Sequence, residues 1–247
     1  MSNYTDIFNA RGDLYNRAME LCPGARENER NSLTKLLQPE QGEWIADAPA
    51  GGGYLAEELI KHGSRLICIE PSALFAEGIR EEFTTVICPI DKTPFKENTF
   101  HKLGSLAGLH HVADKNPFFV EAYRLLKPDG IIAVADVQDK TAAASFLNGF
   151  VDRHTNTGHQ GNFFRGGEVR ETLQRAGFVK VEEQLLRCDW EFPNEQIMVE
   201  FCWNLFGLVK AERSHLHLEL SQSFSITKHD NGIRMEWSLL YARGVKP

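Results

Sequence analysis

The sequence of 247 residues has no uninterrupted apolar run near the ~18 residues of a membrane-spanning helix, so no membrane insertion is expected. Its start, Met1-Ser2-Asn3-Tyr4-Thr5-Asp6, lacks the basic-then-apolar pattern of an export signal. Cysteine is scarce: Cys22, Cys68, Cys88, Cys188 and Cys202 are odd in number, widely spaced and without a Cys-x-x-Cys pair. That argues against a disulfide framework and makes the cytoplasm the expected setting. Cys68 and Cys88 fall in apolar strand patterns and read as buried thiols. Positive charge is also short, with 27 Lys and Arg against 34 Asp and Glu, a net charge of −7. A nucleic-acid binder needs a basic footprint, so no nucleic-acid partner is expected. There is no internal repeat and no low-complexity segment. What is present suits one substantial core: 42% hydrophobic and 25% charged residues, read as a single domain over 1–247.

The chain is organised around residues 43–55, which run Glu43-Trp44-Ile45-Ala46-Asp47-Ala48-Pro49-Ala50-Gly51-Gly52-Gly53-Tyr54-Leu55. A short apolar strand ends at Asp47 and breaks into small residues. The helical pattern of Leu55, Leu59 and Ile60 begins at once. Glycines there let backbone approach a ligand, and amides at a helix start favour electron-rich groups. Read as Gly51-x-Gly53-x-x-Ala56, the loop passes as a dinucleotide fingerprint. Glu70 closes the next strand, where a carboxylate can accept both hydroxyls of a ribose. That contact serves any ribosyl cofactor, so the glycines and Glu70 leave the cofactor open.

Around this loop, short apolar strands alternate with helical patterns. Residues 1–40 read as a helical cap over a ligand site, decorated by Arg11, Asn16, Arg17, Arg26 and Arg30, or equally as packing helices with these side chains solvated. Strands are expected at 65–70, 85–88, 100–105 and 131–136. Helices are expected at 54–62, from Ser72 to about Phe83, at 114–126 and at 167–176, with a turn at Lys127-Pro128-Asp129-Gly130. This alternation predicts a parallel sheet covered on both faces, with its strand ends on one ligand-binding edge. Beyond it the pattern loosens. Residues 139–167 and 193–222 read as lid or substrate insertions, followed by a strand from Phe178 that extends toward Trp190. The chain then shows a turn at Asp230-Asn231-Gly232 and a last strand from Met235 to Arg243.

Residues 91–132 separate the cofactor classes. They carry Asp91 to Pro94-Phe95 and Phe100, then Leu109-His110-His111-Val112-Ala113-Asp114, then Glu121 to Arg124-Leu125-Leu126-Lys127-Pro128-Asp129-Gly130. This run, with Asp47-x-Pro49-x-Gly51-x-Gly53, resembles class I S-adenosylmethionine (SAM)-dependent methyltransferases. The likeness is to the small-molecule, quinone-biosynthesis-like branch (methyltransferase type 11). The resemblance covers residues 43–136 and implies an α/β, Rossmann-like fold. Its sheet should have seven mostly parallel strands, helices on both faces and an antiparallel last strand. It implies SAM as cofactor and in-line methyl transfer to a small-molecule acceptor, and it leaves room for a homodimer.

By the same resemblance, SAM would meet Asp47, Ala48, Pro49, Gly51, Gly53, Glu70, Pro71, Ile90, Asp91, Ser105, Leu106 and His110. The adenine would lie against Ile69 and Pro71 near the Pro94-Phe95 bend. Departures stand at Pro49 for the first glycine, Pro89 for the adenine-binding Asp and His101 for an Asp. A general base, if the acceptor needs one, is expected among His110, His111, His154 and His159, with His159 and His110 preferred. Of the two adjacent histidines, one is expected to face the site and the other to pack. Arg124 reads as a structural ion pair. Phe163, Phe164, Trp203, Phe206 and Trp237 are candidates for an apolar acceptor pocket. No metal is expected: His154 with His159 and His215 with His217 lack further ligands at suitable spacing, and Asp136 lacks a second acid.

Overall fold

The apolar strands are continuous because both of their faces are covered. In the computed structural model, which describes residues 4–247, the chain opens with α1 (Tyr4–Leu21) and α2 (Glu27–Leu37). The units that follow are β1 (Trp44–Asp47), α3 (Tyr54–Leu59), β2 (Arg65–Glu70), α4 (Ala73–Ala76), β3 (Thr84–Ile87), β4 (Phe100–Leu106), α5 (Asn116–Leu125) and β5 (Leu126–Asp136). The chain then forms α6 (Ala142–Phe146), a π-helical turn over Leu147–Val151, α7 (Asp152–His154), α8 (Glu168–Ala176) and β6 (Val179–Arg187). It finishes with β7 (Trp190–Phe192), α9 (Glu195–Phe206), α10 (Arg213–Ser223), β8 (Ile226–His229), β9 (Gly232–Met235) and β10 (Ser238–Val245).

Seven strands form one sheet in the order β3-β2-β1-β4-β5-β10-β6, and β10 runs antiparallel between β5 and β6. The other neighbours are parallel, so β1, β2, β4 and β5 end on one edge. This is the expected α/β, Rossmann-like sheet with an antiparallel last strand. One face packs on Phe118, Phe119, Ala122 and Leu125 of α5 and Val169 and Leu173 of α8. The other packs on Leu33 and Leu37 of α2, Leu55 and Leu59 of α3, and the aromatic-rich segment around α9. No helix among the described residues is long and apolar enough to cross a membrane.

Several boundaries differ from the expectation. The helix after Ser72 lasts only one turn, Ala73–Ala76, although Ser72 caps it as anticipated by accepting from Phe75 N. Lys127-Pro128-Asp129-Gly130 lies within β5, where the register shifts so that Phe100 pairs with Leu126 and Lys102 with Ile131. The strand expected to run on to Trp190 is broken, and the strand expected from Met235 divides into β9 and β10. Strands β7, β9 and β8 make a second, three-stranded sheet that the sequence did not reveal. Its strands are three or four residues long, too short for an alternating pattern to register. Cys68 is buried as expected, whereas Cys88, just past β3, is half-buried and lines the open cleft.

Candidate functional site

The glycine loop and the end of β2 meet at one carboxylate. Glu70 accepts from Gly51 N (2.8 Å), Ser72 N (2.8 Å) and the Tyr4 hydroxyl (2.9 Å). Gly51 and Gly53 have φ of +54° and +85°, a region that favours glycine, and Gly53 starts α3. Asp47 accepts from Ala56 N at 3.2 Å, which ties β1 to that helix. Burial raises Asp47 well above the usual carboxylate range, and burial raises Glu70 to about 7.

Asp47, Pro49, Gly51 and Leu106 line a cavity of ≈ 40 Å³ beside this loop. It is small because α1 stands in it: Phe8 stacks on Phe75 with ring centroids 4.5 Å apart, and a Cβ on Gly51 would lie 2.9 Å from the Phe75 ring. Pro71, Ile90, Asp91 and His110 border an adjoining open cleft of ≈ 790 Å³. Ala48, Gly53 and Ser105 line neither cavity; Ala48 N donates to Gly104 O, and the buried Ser105 Oγ has no partner. The residues expected around the adenine are divided: Pro71 lines the cleft beside Ile87, Ile90 and Val112, whereas Ile69 is fully buried and Phe95 packs edge-on against Phe100. Arg124 forms the expected structural pair, gripping Glu121 at 2.6 and 2.7 Å and donating to Phe95 O. His101, at the opposite end of β4, accepts from Trp44 N.

Behind the histidine turn lies a third cavity of ≈ 50 Å³. His110, His111 and His159 meet Arg11, Phe206, Trp190 and Trp237 there. Asp136, ending β5, fixes the turn: Oδ2 accepts from Leu109 N (2.8 Å) and His110 N (3.1 Å), and Oδ1 lies 2.6 Å from His110 Nδ1. A carboxylate can only accept, so His110 Nδ1 carries a proton and Nε2 keeps its lone pair. His159 arrives on the loop after α7, with its amide donating to Asp152 (2.7 Å) and its Nδ1 at 3.2 Å from Asn148 Oδ1. The histidine rings touch, at centroid distances of 4.1 Å (His110–His111), 5.5 Å (His110–His159) and 5.0 Å (His111–His159). Burial holds His111 and His159 well below the usual imidazole range, and Arg11 lowers both further. Both adjacent histidines face the cavity, where only one was expected to. His154 is elsewhere, stacked on Phe150 and bonded to its carbonyl.

Three arginines of the helical cap are buried, whereas Arg17 and Lys35 are exposed. Arg11, Arg26 and Arg30 are each 7% exposed. Arg11 donates to Phe206 O (3.1 Å) and lies 3.5 Å from His111 Nε2, and burial lowers it to about 10. Arg26 is paired with the fully buried Glu29 at 2.6 Å, and Trp190 Nε1 donates to the same carboxylate. Arg26 also donates to the Tyr15 hydroxyl. Replacing Arg26 by methionine strands Glu29 in the core, so stability should fall by about 3–5 kcal/mol in urea unfolding. A loss under 1 kcal/mol would show the pair to be solvated.

Of the aromatic candidates, Phe206 and Trp237 line this cavity, and the Phe163 ring lies 5.6 Å from that of His110. Phe164 packs against Phe119 on the opposite face of the sheet, and Trp203 lies outside under Arg213. Sequence reasoning missed Tyr4, Tyr15 and Trp190. A signal existed: Tyr4, Phe8, Arg11 and Tyr15 recur at helical spacing on one face of α1.

A parallel sheet with an antiparallel β10, a glycine loop after β1 and an acid ending β2 together define the SAM-methyltransferase class of Rossmann-like fold. Residues 46–134 match the family model described as a methyltransferase domain. The demethylmenaquinone methyltransferase of Corynebacterium kroppenstedtii is 27% identical over 132 residues, which span 53% of this chain and 58% of that protein. The solved structure of a Thermotoga maritima SAM-dependent methyltransferase, described as a possible histamine N-methyltransferase, has a TM-score of 0.67 at 18% identity. That match covers 99% of this chain and all of that one. The Haemonchus contortus phosphoethanolamine N-methyltransferase 2, solved with S-adenosylhomocysteine, has a TM-score of 0.68 at 18% identity. It covers all of this chain and 61% of that one. The family match spans about a third of the chain, and the likeness to solved SAM-dependent methyltransferases over its whole length is one of fold.

Proposed function

We propose that this chain transfers the sulfonium methyl of SAM to a small-molecule acceptor held in the cavity between the histidines and Trp190–Trp237. The observation that carries this reading is the position of His110. It borders both the large cleft and the smaller cavity, and Asp136 fixes its ring. The cradle fits the cofactor. The Tyr4 hydroxyl on Glu70 is the kind of contact a ribose hydroxyl would make, and Gly51 keeps backbone open where a side chain would intrude. Asp47, Pro49, Gly51 and Leu106 would hold the methionine end, Glu70 the ribose, and Pro71, Ile90 and Asp91 the adenine side.

Bound SAM supplies an already activated methyl group, so the protein chiefly aligns the acceptor with the S–CH₃ bond. Positioning of this kind can contribute ~7–11 kcal/mol. Where the acceptor atom carries a proton, His110 Nε2 takes it while Asp136 steadies the imidazole. His159, buried and neutral, packs beside it. The acceptor itself is small and partly apolar, with a group able to accept hydrogen bonds. The cavity offers Val137, Leu147 and Leu205, and the buried Arg11 Nε and Trp237 Nε1 have no acceptor among the described residues.

Thermal-shift titration with SAM, S-adenosylhomocysteine and NAD(H) tests the cofactor. Ligand at 100 times its Kd should add ~2.7 kcal/mol of stability. Stabilisation by NAD(H) alone would sink the reading, and an acceptor screen for S-adenosylhomocysteine release tests the chemistry. Because Tyr4 occupies the ribose-binding carboxylate, Tyr4→Phe should tighten SAM binding by up to about tenfold in calorimetry, the worth of one charged hydrogen bond. Weaker binding in that variant would instead make Tyr4 a cofactor contact.

A further inference from the structure

We propose that His110, His111 and His159 form a binding site for a zinc-type divalent metal ion, with the deprotonated acceptor as the fourth ligand. The proposal deepens the acceptor-cavity reading above and depends on it for the fourth ligand only. One ring nitrogen from each histidine lies within 4.8 Å of the other two. Zn–N bonds of 2.0–2.1 Å place tetrahedral ligands about 3.4 Å apart, so small rotations of the rings suffice to close the set.

The groups behind the rings are those a metal site needs. Ligating histidines almost always donate their second N–H to a carboxylate or carbonyl oxygen, which fixes the tautomer and the ring plane. Here His110 Nδ1 is held by Asp136 at 2.6 Å and His159 Nδ1 by Asn148 Oδ1 at 3.2 Å. Asp136 is itself pinned by the amides of Leu109, His110 and Val137, and Asn148 Oδ1 by Gly161 N at 2.7 Å. On His111, Nε2 faces the Arg11 guanidinium at 3.5 Å. Since a guanidinium can only donate, that nitrogen carries a lone pair, which Arg11 must release for the metal to take it. All three rings thus keep an unprotonated Nε2.

Arg11 also selects the fourth ligand. A dication beside the buried Arg11 guanidinium is repelled unless an anion lies between them. Three neutral imidazoles supply no charge, so the acceptor must. The class this favours is an acidic O–H or S–H compound, bound as its anion. Its proton leaves to solvent through the cleft that His110 and His111 border. A lone pair on the oxygen or sulfur then forms the bond to the methyl carbon. The S–CH₃ bond breaks, and its electron pair stays on sulfur as a neutral thioether. The product ether or thioether is uncharged, ligates weakly and leaves. His110 then acts as ligand, and the metal in place of a free imidazole lowers the acceptor's pKa.

The test uses the full chain freed of metal by a chelator and titrated with Co²⁺, then Zn²⁺. One equivalent of Co²⁺, with chloride from the buffer standing in for the acceptor anion, should bind with visible d–d absorption of nitrogen-ligated, four-coordinate cobalt, displaced by Zn²⁺. The half-buried His111→Asn and the buried His159→Asn should each lose that spectrum. Asp136→Asn should weaken binding 10–100-fold. His154→Ala, on the same segment but outside the cluster, should leave it intact. Stabilisation by S-adenosylhomocysteine, followed in parallel, reports folding and the cofactor reading separately. Wild-type protein that binds no Co²⁺ at micromolar concentration, or variants that keep the wild-type spectrum, would overturn the proposal while leaving methyl transfer untouched.

Discussion

Glu70→Ala should cost about 10²–10⁴-fold in SAM affinity, measured by calorimetry, with the fold retained. Two charge-assisted hydrogen bonds from the ribose hydroxyls contribute about 1.5–3 kcal/mol each, and the alanine removes both. The fixed amides of Gly51 and Ser72, which now donate to this carboxylate, would lose their acceptor as well. The same group sets a pH dependence. Burial raises Glu70 from 4.5 to about 7, so in the ligand-free protein it is protonated below that range, and only the ionised form accepts both hydroxyls. SAM affinity should therefore fall about tenfold per pH unit on acidification below about 7. Glu70→Gln should bind weakly with a flat profile, and a wild-type profile equally flat would remove Glu70 from the ribose contact. Stability of the ligand-free protein runs the other way. The folded chain holds a proton here that the unfolded chain has lost, so this group's contribution is present at low pH. It declines as pH rises from 4.5 to about 7.

His110→Asn should lower the rate of S-adenosylhomocysteine release by about 10²–10⁴-fold, the range of a removed general base. SAM binding should change far less, since Glu70 and the glycine loop remain. Asp136→Asn is the sharper probe. It keeps the shape but can turn an amide N–H toward His110 Nδ1, which then must accept and leaves the proton on Nε2, the wrong nitrogen for a base. A fall in kcat with KM for the acceptor unchanged is the expected split. Full activity in either variant would mean that alignment alone carries the reaction, as it does when the acceptor atom has no proton to lose.

The sheet was legible because each strand from 44 to 136 is a short apolar run between turn signals, and a covered parallel sheet demands that pattern. Glu70 and Gly51 were legible for a related reason: spacing along a strand-loop-helix unit fixes where they meet. The cavity proposed for the acceptor was not. Its parts come from α1, the His110 turn, the His159 loop, α9 and the segment before β10, and no local pattern links Arg11 to Trp237. The arginines of α1 and α2 misled for a physical reason. Charge at helical spacing ordinarily means solvent, but Glu29 neutralises Arg26 inside the core and Phe206 O accepts from Arg11. The absence of a metal was argued from sequence neighbours, His154 with His159. The fold instead brings His159 to a pair about fifty residues earlier, a distance spacing rules do not span.

The insertion of β10 between β5 and β6 has a consequence for how the chain is made. Synthesis is vectorial, and β5 leaves the ribosome with one edge open for the next hundred residues. Ile131, Ile132, Ala133 and Val134 stay without their partner strand until residues 238–245 appear. A nascent chain of this protein is therefore a natural client for a chaperone that shields sheet edges, and one stalled before residue 238 should be sticky rather than half-active.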